Sequence, residues 1–217
     1  MTLAAVIKRM PGWGEFLFVG SYYWGWAAMH ALFVTLHSHK LAAFDSGYLT
    51  SIMAVELPVL AISAAFLRLR GWTLASLDWH PCRQTTVLGA LLALVGLLIH
   101  ALTASAGLAD ASGHLHAASS TVAMALPVVL LAFIVNAVFE EIFLSGYLFK
   151  ALAGHGPLFI IGVSTLLRVL AHIDAGPAES LEIAGIGLLY GAVYWRWRQL
   201  WPLLFAHTAT ALLIVAN

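Results

Sequence analysis

Ile134-Val135-Asn136-Ala137-Val138-Phe139-Glu140-Glu141-Ile142-Phe143-Leu144 sets two adjacent carboxylates into an otherwise apolar run. A charged side chain at the centre of a bilayer costs roughly 3 to more than 10 kcal/mol, depending on the reference state. Two side by side add like-charge repulsion. Groups this costly persist where they are paired or where they perform chemistry. The apolar residues around them decide the fold class, because such runs recur along the whole chain.

The 217 residues are 62% hydrophobic and 9% charged, with a mean hydropathy of +0.93. A soluble domain carries about 25% charged residues, so the composition points to an all-α, polytopic transmembrane bundle. Net charge is zero and no basic block suggests nucleic acid as a partner. The single Cys82 rules out an intrachain disulfide and a cysteine metal cluster. Lys8 and Arg9 precede an apolar stretch longer than a signal-peptide core, with no small-x-small cleavage site after it. It is therefore expected to be a retained span.

Seven hydrophobic segments can be drawn, at about 16–36, 48–67, 86–106, 121–149, 158–175, 181–195 and 200–216. Polar or Gly/Pro-containing stretches separate them, among them 68–81, 107–113, Gly154-His155-Gly156-Pro157 and Asp174-Ala175-Gly176-Pro177. With the N-terminus in the cytoplasm, Lys8, Arg9, Arg68, Arg70, Arg83, Lys150, Arg196 and Arg198 fall on the inner side and only Lys40 outside. That asymmetry fits the positive-inside rule and an odd number of spans. One integral membrane domain is expected, with supporting helices in 1–118 and a core in 119–217. Trp195, Trp197 and Trp201 beside Arg196 and Arg198 suggest an interfacial belt. Gly187 and Gly191, four apart, suggest a helix-packing face.

Other polar residues join the glutamates at membrane depth. Ser164, Arg168 and His172 are spaced four apart and form one stripe. His207 lies in the last segment, and Asn136 lies one turn before Glu140. Stripes on three late helices predict a polar cavity inside the bundle. Arg168 is expected to be a counter-ion for a glutamate, since buried charges are normally paired. Glu56, near Pro58, reads as an isolated carboxylate, either structural or at a cavity edge; His30 and His100 are given no role. His37, His39, His114 and His116 read as solvated loop residues.

A glutamate with two histidines admits two hydrolytic mechanisms. Zinc bound by Glu and His ligands acidifies a water, although the H-E-x-x-H spacing is missing. Alternatively a glutamate deprotonates water held by the histidines, and a histidine or amide stabilises the oxyanion. Both end in hydrolysis of a peptide bond at the membrane.

Glu140-Glu141-Ile142-Phe143-Leu144-Ser145-Gly146, then Ser164 to His172, then His207, resemble the three motifs of the CPBP intramembrane proteases, the CAAX-protease and Abi type. The family pattern runs E-E-x-x-x-R, F-x-x-x-H and a late H-x-x-x-N on successive helices of a four-helix core. The resemblance covers about residues 120–217. It implies a glutamic intramembrane endopeptidase with Glu140 as general base, Glu141 supporting it, His172 holding water and His207 on the oxyanion side. No metal or other cofactor is then expected, and zinc is the less favoured variant. The implied partners are the bilayer and a membrane-anchored peptide or protein: prenylated tails in eukaryotes, leader or sorting peptides in bacteria. The compact, Ala- and Trp-rich chain points to a bacterial inner membrane.

Three positions depart from that pattern. The motif Arg is Ser145, the motif Phe is Arg168, and the late Asn is Ala211. Arg168 is expected to supply the missing guanidinium from the neighbouring helix and to pair with Glu141. Thr210 or Asn136 is the expected replacement donor. At a rise of ~1.5 Å per residue, Glu140 and His207 lie about 10–14 Å from the inner ends of their segments and His172 about 20 Å. The fifth span is therefore expected to begin after Pro157, or residues 150–161 to dip into the membrane. The rival readings are a proton-coupled transporter or channel and an inactive scaffold or immunity protein.

Overall fold

Helices form wherever the apolar runs are long enough, and proline or glycine sets several of their ends. The computed structural model describes residues 3–37, 46–73, 75–105 and 126–215. Every regular element among them is helical. Helix α1 is Leu3–Arg9, and Pro11 separates it from α2 at residues 12–37. Helix α2 runs as Gly12–Val19, a π turn Gly20–Gly25, and Trp26–His37. Then come α3, Ser46–Leu69, and α4, Arg83–Thr103. Helix α5, Leu126–Ala151, also contains a π turn, at Ile142–Tyr147. Helices α6, Pro157–Ala171, and α7, Pro177–Trp197, both begin on proline, whose missing N–H costs nothing in a first turn. Helix α8 is Trp201–Val215. Gly176, at φ 98°, makes the turn into α7 that a side chain would resist.

Three of these helices are long and apolar enough to cross a bilayer: Gly47–Leu69, Arg83–Thr103 and Leu126–Ala151. Helices α6 and α8 are apolar but shorter. The first expected span, 16–36, lies in α2 but is interrupted by the π turn. The sixth lies in α7, whose 21 residues include Glu179, Glu182 and Arg196. His39, His114, His116 and the polar stretch 107–113 fall outside the described residues.

Helix α5 is the centre of the bundle. Inside its apolar window 61% of residues are buried, against 33% in α3 and 22% in α4. One side of α5 presents Phe139, Phe143 and Tyr147 to Tyr23 and Trp24 of α2. The other side sends Ala137 and Phe149 into a core with Tyr190, Tyr194, Leu200 and Leu203. Helix α7 approaches α6 very closely. A Cβ at Gly191 would meet Ile161 at 2.9 Å, and one at Gly187 would meet Thr165 at 3.1 Å. The glycine pair is thus a packing face, as the spacing predicts. Helices α4 and α8 meet at Gly96, where a Cβ would lie 3.1 Å from Thr210.

Two residues read as solitary have partners. Glu56 accepts a hydrogen bond from the Asn136 amide at 2.8 Å, tying α3 to α5. His100 meets the Glu182 carboxylate at 3.0 Å, tying α4 to α7. Single-helix patterns did not reveal either pair, because each joins residues about 80 positions apart.

Helix α6 begins at Pro157, and the hairpin geometry brings the site residues level wherever the membrane boundary falls. Glu140 lies 11 positions before the end of α5 at Ala151, and Arg168 lies 11 positions after Pro157, so the two are level. His172 is one turn further along. Side chains lean toward the N-terminus of their own helix, so in this antiparallel pair Glu140 and His172 lean toward each other.

Candidate active site

Consecutive residues on a helix point about 100° apart. Glu140 and Glu141 therefore address different neighbours, and Arg168 of α6 sits between them. Its Nη1 donates to Glu140 Oε2 at 2.7 Å and its Nη2 to Glu141 Oε1 at 2.8 Å. One planar fork thus bridges both carboxylates, a geometry that an ammonium cannot reproduce. The sequence predicted a pairing with Glu141; the guanidinium holds Glu140 as well. The three side chains are 0–5% exposed.

The histidines complete the two halves. His172 Nε2 lies 3.2 Å from Glu140 Oε1, and His207 Nδ1 lies 3.0 Å from Glu141 Oε1. A carboxylate accepts, so these ring nitrogens are the donors, leaving His172 Nδ1 and His207 Nε2 for other partners. Ser145 Oγ donates to Glu141 Oε2 at 2.8 Å. Glu141 therefore receives Arg168, His207 and Ser145 while being fully buried. Among the described residues Glu140 receives Arg168 and His172 only, and the His172 side chain is 35% exposed. The two carboxylates differ in the same sense as the expected roles: one saturated, one beside the open edge of the site.

Ser164, third member of the α6 stripe, turns to the main chain and donates to the Leu144 carbonyl at 3.0 Å. This bond pins α6 against the π turn of α5. Asn136 is engaged by Glu56. Thr210 Oγ1 donates to the Ala93 carbonyl at 3.4 Å, joining α8 to α4. The structure thus brings Glu140, Glu141, Arg168, His172, His207 and Ser145 together; Asn136 is directed to α3, and Thr210 meets α4 and the Tyr190 hydroxyl of α7.

Tyr190 is the site neighbour that sequence reading missed. Its buried ring carries the Arg168 guanidinium carbon 5.7 Å from the ring centroid, and lies 6.5 Å from the His207 ring. The aromatic face compensates a cation whose Nε is buried with no hydrogen-bond partner among the described residues. A tyrosine in an apolar helix looks like core packing. The only available signal was its place between Gly187 and Gly191, the contact face with α6.

Glu140, Glu141 and His207 offer three ligand atoms within 4.8 Å of one another. The set has metal-ligating chemistry, but the Arg168 fork already occupies an oxygen of each carboxylate. A dication there would face a fixed positive charge in direct contact with its own ligands.

Residues 121–213 match the family model described as Type II CAAX prenyl endopeptidase Rce1-like. The matched segment contains all six clustered side chains. It supports an intramembrane protease of CAAX type in general terms and, with the apolar helices, an integral membrane protein. No curated protein and no solved structure is significantly similar to the chain.

Proposed function

With residues 121–213 similar to the type II CAAX prenyl endopeptidases, we propose that the chain is an intramembrane endopeptidase that uses Glu140 to activate water. The unequal coordination of the two glutamates is the observation that carries this reading. Water enters beside His172 and is held between His172 and Glu140. Glu140 takes one of its protons as the hydroxide oxygen attacks the scissile carbonyl carbon. His207, in its doubly protonated form, keeps Nδ1–H on Glu141 and turns Nε2–H to the oxyanion formed there. Glu140 then gives the proton to the amide nitrogen, the C–N bond breaks, and an acid and an amine leave. Glu141 stays fixed by Arg168, Ser145 and His207, and so fixes the fork that orients Glu140.

Helices α2–α8 make the seven spans in this reading, with α5–α8 as the four-helix core, α1–α4 supporting it and the N-terminus cytoplasmic. A bacterial inner membrane fits the compact chain. The substrate is a membrane-anchored tail or sorting segment. Arg168 in contact with both carboxylates favours the metal-free mechanism.

The test is expression of the wild type, Glu140→Ala and His172→Ala in the same host, followed by mass-spectrometric mapping of new termini in membrane proteins. Cleavage by the wild type that both variants lose supports the assignment; cleavage that persists in both removes it. Activity unaffected by a chelator is expected, and loss of activity restored by zinc overturns the metal-free mechanism.

A further inference from the structure

We propose that Tyr23 and Trp24 of α2, outside the matched segment, are positioning residues that hold α5 and α6 in the register the site requires. Tyr23 Oη donates to the Phe139 carbonyl at 2.7 Å. Trp24 Nε1 donates to the Leu167 carbonyl at 2.7 Å. Phe139 immediately precedes Glu140, and Leu167 immediately precedes Arg168. Two consecutive side chains of one helix therefore grip the main chain next to both ends of the ion-pair fork.

Both grips fall where the helical ladder changes. Phe139 stands just before the switch into the π turn Ile142–Tyr147, and Leu167 lies near the C-terminal end of α6. Carbonyls near such breaks take side-chain donors readily. The rings are locked as well. Tyr23 stacks on Phe139 and Phe143 with centroids 4.3 and 5.0 Å apart, and Trp24 stacks on Phe143 at 5.7 Å. Both are 2% exposed. Both residues lie in the π turn Gly20–Gly25 of α2, and consecutive residues of a helical turn point well apart around its axis, which lets Tyr23 address α5 while Trp24 addresses α6.

The register matters because the Arg168 fork reaches two carboxylates at 2.7 and 2.8 Å. A slip of one residue moves a helix by ~1.5 Å, and a misplacement of about 1 Å costs up to ~100-fold in rate. The clamp concerns the same site as the endopeptidase reading and rests on it for its catalytic consequence.

The variants are Tyr23→Phe, Trp24→Phe and the double, which remove the donors and keep aromatic rings. Tyr194→Phe is the control, since Tyr194 donates to Asp78 Oδ2 at the far end of α7. Two readouts are taken on the full chain in detergent: hydrolysis of a fluorescence-quenched peptide with a prenylated CAAX terminus, and ¹⁵N NMR of the Arg168 guanidinium. The double variant should lose at least tenfold in kcat with KM within twofold, and its two distinct Nη signals should merge. Tyr194→Phe should change neither, whatever it does to Tm. Unchanged Arg168 signals in the double variant, or an equal kcat loss in Tyr194→Phe, overturn the clamp. If the wild type cleaves nothing while the signals still merge, the clamp stands and the endopeptidase reading falls.

Discussion

Replacing Arg168 by methionine keeps the length and much of the volume of the side chain while removing the charge from a contact with two buried carboxylates. Removing one partner of a buried ion pair typically costs about 3–5 kcal/mol, because the other charge is left uncompensated. Glu141 keeps the donors Ser145 and His207, and Glu140 keeps His172, so a loss within that range is expected rather than above it. At 1.4 kcal/mol per decade, the folded-to-unfolded ratio falls by about two to three and a half orders of magnitude. Titration with SDS in mixed micelles, followed by tryptophan fluorescence, measures it. Arg168→Lys should recover only part of the loss, since one ammonium cannot bridge both oxygens as the fork does. The triple variant Glu140→Gln, Glu141→Gln, Arg168→Met should recover more, because the cost belongs to the unpaired charges. Arg168→Met within 1 kcal/mol of wild type would refute the reasoning: the fork would then carry no weight in holding α5 to α6.

Two further outcomes are expected. Arg168→Phe combined with Ser145→Arg returns both positions to the family pattern and should cleave at least tenfold faster than Arg168→Phe alone, measured with the same quenched peptide; a double variant no better than the single one means the two guanidinium positions are not equivalent. Gly191→Val places a branched side chain where even a Cβ lies 2.9 Å from Ile161, and overpacking of this kind costs about 1–3 kcal/mol, which the same SDS titration should show.

Much of the bundle was legible because apolar length and Gly/Pro punctuation are local signals. The run drawn at 86–106 is the helix Arg83–Thr103, and that at 200–216 is Trp201–Val215. The stripe Ser164, Arg168, His172 was legible for the same reason, since a four-residue spacing fixes one face. What escaped is non-local. No property of Glu56 points to Asn136, and nothing about Tyr190 distinguishes a guanidinium support from a core ring. Tyr23 and Trp24 look like interfacial aromatics until α5 and α6 are seen beside them. The π turns escaped as well, because widening of a turn leaves no mark in composition.

The π turn Ile142–Tyr147 also makes α5 unforgiving of changes in length. It separates the paired glutamates from the lower half of the helix, where Phe149 enters the core and Lys150 reaches Asp78 at 3.1 Å. Adding one more residue there, beyond the one the wide turn already takes up, would rotate everything beyond it by about 100°, carrying Phe149 off the core and Lys150 off Asp78 while the glutamates stayed in place. The same addition between α5 and α6 lengthens a loop and leaves both halves of α5 phased. Natural length variation in close relatives is therefore expected to concentrate at 152–156 and to spare 142–147, as though the extra turn residue were a spacer cut to a fixed gauge.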